Sequence, residues 1–93
     1  MAFDNSVKIS HTVDCRGMHC PLPVAMLKLG LQKINAGEFL ELIGTDSASQ
    51  KDIPAAVGPM NAELVQNIAE NKIVNIKGTK FDKEFHYIVK KLK

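Results

Sequence analysis

The feature that most constrains the fold is Cys20-Pro21-Leu22-Pro23, two prolines one residue apart just after a short strand-like run. Proline has no backbone N–H and holds φ near −65°, so an interior sheet strand cannot pass through this segment. A helix can start in it, because the N–H groups of a first turn have no intrahelical partner to lose. Upstream, Val7, Ile9 and Val13 alternate with Lys8, Ser10 and Thr12, so Val7 to Val13 reads as a strand whose apolar face is interrupted by His11. Arg16-Gly17-Met18-His19 is the connecting loop, with Gly17 freeing the turn. Downstream, Val24, Leu27, Leu31 and Ile34 recur at helical spacing while Lys28, Gln32 and Lys33 fall outside it. This predicts a helix from near Cys20 to about Asn35, closed by Ala36-Gly37.

Glu38 to Gly44 follows as a strand with apolar groups on both faces (Phe39, Leu40, Leu42, Ile43), which predicts an interior position. Thr45-Asp46-Ser47 opens a second helix, capped by Asp46 or Ser47, with Ser47 and Gln50 spaced as a capping box. Pro54 is expected to bend this helix and Gly58-Pro59 to end or break it. Leu64, Val65 and Ile68 predict further helix over Asn61 to Asn71. Ile73 to Ile76 and Glu84 to Leu92 read as two strands joined by a loop over Gly78 to Lys83. Strand, helix, strand, helix in two pieces, strand, strand is an α+β order. It predicts a two-layer α/β sandwich: a mixed four-stranded sheet with its helices on one face and the second helix region extended.

A chain of 93 residues is expected to form a single domain spanning residues 1–93, with one modest core. No basic and apolar leader is readable at the N-terminus, and the longest apolar stretch, Pro21 to Leu27, is too short to span a bilayer. A soluble cytoplasmic protein without membrane association is expected. Two cysteines without a leader point to reactive or buried thiols rather than a disulfide frame. The net charge of +2 is unevenly placed. Residues 72–93 hold seven lysines against Asp82 and Glu84, a net +5, and the remainder is net −3. This basic face suits either a solvated surface or an acidic partner. Aromatic residues interleaved with the lysines are few (Phe81, Phe85, Tyr87), which argues against direct nucleic-acid recognition.

Cys20 is the candidate reactive group. A thiol reacts as thiolate, and the N-terminus of a helix favours an anion by about 0.3–1 kcal/mol, less than one unit of pKa. Arg16 adds a charge of the same sign in the loop, and the prolines stiffen the presentation of the sulfur. The competing reading is a small apolar residue buried at a helix start, which cysteine often is. Asp14 and Arg16 suit a local ion pair, or Asp14 can hold the loop by accepting N–H bonds from Arg16 or Gly17.

Taken together, Asp14, Arg16, Gly17, Cys20, Pro21 and Pro23 form Asp-x-Arg-Gly-x-x-Cys-Pro-x-Pro, which resembles the signature of the TusA/SirA-like sulfur-carrier family. Thr45-Asp46 and Asp52-Ile53-Pro54 resemble its second-helix region, and the likeness runs from about Val7 to Leu92. The resemblance implies a β-α-β-α-β-β sandwich and a sulfurtransferase in which Cys20 accepts sulfane sulfur as a persulfide. Asp14, Arg16, Gly17, Pro21 and Pro23 would support it, with no cofactor. It implies a sulfur-donor protein (a cysteine desulfurase or a rhodanese) and a downstream acceptor protein, in tRNA thiolation or another branch of sulfur metabolism. A monomer is expected, since a carrier must meet successive partners. Two departures stand out: Ser47 where the family often has proline, and residues 58–71, which read as an insertion.

Other readings carry less. Cys15, five residues before Cys20, has the position of a resolving thiol but suits packing better. Cys15, His19 and Cys20 match no usual zinc spacing, so no metal is expected, and His11 and His86 read as structural or surface groups. The alternative function is a non-catalytic regulatory or interaction module that keeps this fold and uses the basic C-terminal face.

Overall fold

The computed structural model describes residues 8–19 and 22–93. The elements run β1 (Ile9–Cys15), α1 (Leu22–Leu31), β2 (Phe39–Gly44), α2 (Ser49–Val57), β3 (Ala62–Ile76) and β4 (Thr79–Lys91). They form the expected α+β arrangement. One mixed sheet has strand order β1-β2-β4-β3, with β1 and β2 parallel and the other neighbours antiparallel. β2 is interior, as its two-faced apolar pattern requires. Val7, and the Cys20-Pro21 start expected for the first helix, lie outside the described residues.

The helices pack on one face of the sheet. Leu27, Leu31 and Ile34 from the first helical region meet Val13, Cys15, Leu40, Leu42, Phe85, Tyr87 and Val89 from the sheet, together with Ile53 and Val57 from α2. Each fully buried aliphatic chain here is worth about 1.5–3 kcal/mol relative to exposure. Gly30 allows α1 to approach the sheet closely: a Cβ there would lie 2.7 Å from both Leu40 Cδ1 and Val13 Cγ2. α1 stops at Leu31, short of the expected Asn35. Lys91 Nζ donates to the carbonyls of Leu31 (2.8 Å) and Ile34 (2.9 Å), placing a cation on the negative end of the helix. α2 begins at Ser49 with Asp46 Oδ1 accepting the Ala48 amide at 3.1 Å, while the Gln50 amide bonds the Ser47 carbonyl; the Ser47–Gln50 capping box does not form.

The largest correction concerns residues 61–71. They are not helical, and the second helix is not extended beyond Val57: residues 62–76 are one 15-residue strand. The register of β3 against β4 shifts between Leu64 and Gln66. Leu64 pairs with Val89 and reaches the core, whereas Ile68 pairs with His86 on the opposite face. A bulged strand thus reproduces the spacing that reads as a helix. The expected Gly78–Lys83 loop is instead a two-residue turn, Lys77-Gly78, with φ of 50° and 84°, as a tight hairpin requires. β3 and β4 therefore form a long two-stranded arm. β1 also runs two residues past the expected Val13, and a register shift between Ile9 and His11 lets Val13 and Cys15 face the core.

Candidate functional site

The loop between β1 and α1 is held from three directions. Within the loop, Asp14 accepts three bonds from Arg16: the backbone amide and Nε on Oδ1 (3.1 and 3.0 Å), and Nη2 on Oδ2 (2.8 Å). The aspartate turn and the ion pair foreseen for this carboxylate therefore occur together. Arg16 lowers the Asp14 pKa, chiefly through side-chain hydrogen bonding, and Asp14 in turn raises that of Arg16. Across the sheet, Arg16 Nη1 lies 3.7 Å from Glu84 Oε2. The guanidinium is thus shared between two carboxylates rather than left as an unbalanced charge.

From the end of β2, Thr45 Oγ1 accepts the Gly17 amide at 2.8 Å. Gly17 adopts φ of +83°, and a Cβ there would lie 2.9 Å from Ile76 Cγ2. Two independent constraints therefore demand glycine: the left-handed backbone and the closeness of the hairpin arm. Met18 N donates to the Cys15 carbonyl at 3.0 Å, and Leu22 N to the His19 carbonyl at 2.9 Å. Pro23 is fully buried in the first turn of α1. Cys20 and Pro21 lie outside the described residues; of the expected supporting residues the structure brings Asp14 and Arg16 together, with Gly17 next in the chain, and places Pro23 in α1.

Cys15 is fully buried in the core, and burial followed by the charge of Asp14 pushes its thiol up to about 11. A thiol so hard to ionise is a packing group. Cys15 thus takes the packing role its position favoured.

Sequence reasoning missed several groups at this site. Glu84, nearly buried on β4, meets Arg16, Lys72 (3.5 Å) and His86 (2.8 Å). The other ring nitrogen of His86 lies 3.3 Å from Glu41, and Glu70 is 3.4 Å from Nε2. His86 is thus a structural polar group on the face opposite the helices. A buried glutamate in a lysine-rich strand is the only sequence signal for this network, and it appears only once strand pairing is known. Thr45 is visible as a motif residue, but its partner is not. Among the described residues no three His, Cys, Asp or Glu side chains are placed to hold a metal ion, and no helix is long and apolar enough to cross a membrane.

Residues 11–80 match the family model described as sulfurtransferase TusA. A protein of Archaeoglobus fulgidus named "Putative sulfur carrier protein" is 37% identical over 54 residues, covering 58% of this chain and 70% of the relative. A protein of Halobacterium salinarum with the same description is 41% identical over 58 residues, covering 61% and 72%.

Proposed function

The chain belongs to the sulfurtransferase TusA family, and from that premise we propose that it carries sulfane sulfur as a persulfide on Cys20 between a donor and an acceptor protein. The observation that supports this most is the construction of the loop leading to Cys20. Asp14 bonds Arg16, Thr45 bonds Gly17, and Pro23 is buried at the start of α1. Cys15 offers no competing nucleophile, because its thiol is buried and hard to ionise.

The chemistry is two successive displacements at sulfur. The Cys20 thiolate attacks the outer sulfur of a donor persulfide. A bond forms from Cys20 to that sulfur, the donor's sulfur–sulfur bond breaks, and the electron pair leaves with the donor thiolate. The acceptor thiolate then attacks the outer sulfur held on Cys20 and releases Cys20 as thiolate. No external oxidant or reductant is needed, and each step is favoured when the attacking group is ionised. Asp14, Arg16, Gly17, Pro21 and Pro23 act as supporting residues. Holding a flexible loop in one attack geometry before the encounter removes ordering entropy from the reaction step. The donor is a cysteine desulfurase or a rhodanese. The acceptor is a protein of a sulfur relay, in tRNA thiolation or another branch of sulfur metabolism, and the carrier works as a monomer in the cytoplasm.

The test is intact-mass spectrometry after incubation with a cysteine desulfurase, cysteine and pyridoxal phosphate, and in parallel with thiosulfate or polysulfide. Gain of one sulfur atom that is absent from Cys20→Ser supports the carrier. Absence of added sulfur with every donor overturns it.

A further inference from the structure

We propose that the β3–β4 arm is the docking element for a protein partner whose reacting cysteine is surrounded by carboxylates. This inference rests on the carrier reading and adds the chemistry of the surface that Cys20 meets.

The arm is built next to the reactive loop. Ile76, beside the tip turn, reaches Gly17, and Glu84 at the arm's base reaches Arg16. Gly17 precedes Cys20 by three residues, and chain geometry alone keeps their Cα atoms within about 11 Å. A protein thiol engaging Cys20 therefore brings its own surface against the arm.

The composition of the arm is one-sided. Between Asn71 and Lys83 it carries Lys72, Lys77, Lys80 and Lys83 against the single acid Asp82. All four lysines are exposed, and among the described residues Lys72 alone of them makes an ion pair, with Glu84. Within the lysines sits Ile73, 69% exposed, in the stretch where the β3–β4 register shifts between Asn71 and Val74. An exposed aliphatic residue on an arm rich in exposed lysines has the make-up of a small protein interface: an apolar centre and a charged rim. Its complement is an acidic surface, which would also speed encounter by long-range attraction. RNA fits less well, because Phe81 on the arm is half-buried and the patch presents no exposed aromatic ring on which a base could stack.

Two synthetic peptides test the proposal. Each carries one cysteine as a mixed disulfide with thionitrobenzoate, flanked by leucine and either glutamates or glutamines. Attack by the Cys20 thiolate on the peptide sulfur forms a protein–peptide disulfide and releases coloured thionitrobenzoate. At low salt the glutamate peptide should react about tenfold faster than the glutamine peptide. The advantage, taken as the ratio of the two peptide rates in the same protein, should shrink with added salt and vanish in K77E/K80E/K83E. K77Q/K80Q/K83Q should fall between the two. Equal rates for both peptides, or an advantage that survives charge reversal, would overturn the docking role. So would lysine-dependent binding of a single-stranded RNA in a protein that shows no preference between peptides. Cys20→Ser should abolish release from both peptides, and the carrier reading is checked separately by the sulfur atom gained in intact-mass spectrometry.

Discussion

Thr45 Oγ1 accepts the Gly17 amide at 2.8 Å, tying the end of β2 to the loop that leads to Cys20. The two residues lie 28 positions apart, so this bond exists only once β1 and β2 have paired. Thr45→Val keeps the shape of the side chain and removes the acceptor, leaving a half-buried N–H unpaired. The expected cost is about 1 kcal/mol of stability, read from the urea midpoint, together with slower alkylation of Cys20. Thr45→Ser should restore both.

Gly17→Ala should be worse than an ordinary loop substitution. The added Cβ meets Ile76 Cγ2 at 2.9 Å, and the backbone stays in the left-handed region. A loss of about 1–3 kcal/mol follows from overpacking and strain together. In Gly17→Ala/Ile76→Ala the packing part should be recovered and the strain part retained, so the double variant falls between the single alanine and wild type in thermal midpoint.

Cys15 should be nearly inert. With its thiol pushed up to about 11, its thiolate fraction at pH 8 is on the order of a hundredfold below that of a free cysteine. Iodoacetamide should therefore label native Cys20→Ser at least that much more slowly than a model thiol, and at an ordinary rate in denaturant. Fast native labelling would show that Cys15 is accessible.

Asp14 and Arg16 set a modest pH dependence. The native Asp14 carboxyl titrates below its ordinary value, so its contribution is complete above about pH 4 and is lost as pH falls through the lowered native value. The pair is half-exposed, which limits the effect to about 0.3–1 kcal/mol. The stability gap between wild type and Asp14→Asn, from urea melts, should be present at neutral pH and should shrink as pH falls below the ordinary aspartate range. A gap that is constant with pH would remove the ion pair as its cause.

Much of the architecture was legible because local chemistry and tertiary packing agree. Pro23 had to fall in the first turn of a helix that follows a strand, and the two-faced apolar run Phe39–Ile43 had to be interior. The misreading of 61–71 has a definite source. A bulge at Val65 changes which face the following residues present, so Leu64 and Ile68 keep helical spacing while serving opposite faces of a sheet. The length of the arm was hidden for a related reason: Lys77-Gly78 is less conspicuous as a turn than Asn-Gly or Asp-Gly, and lysine-rich strands resemble loops. At the site, the Asp14–Arg16 pair was readable from its spacing of two. The Gly17–Thr45 and Arg16–Glu84 partnerships depend on strand register and were not.

The most direct measurement is peptide mapping of the protein after brief exposure to polysulfide and trapping with iodoacetamide, run on wild type, Cys20→Ser and Cys15→Ser. The account predicts one additional sulfur atom on the peptide containing Cys20 in wild type and Cys15→Ser, and none on any peptide of Cys20→Ser. Sulfur found on Cys15, or on no cysteine at all, would contradict it.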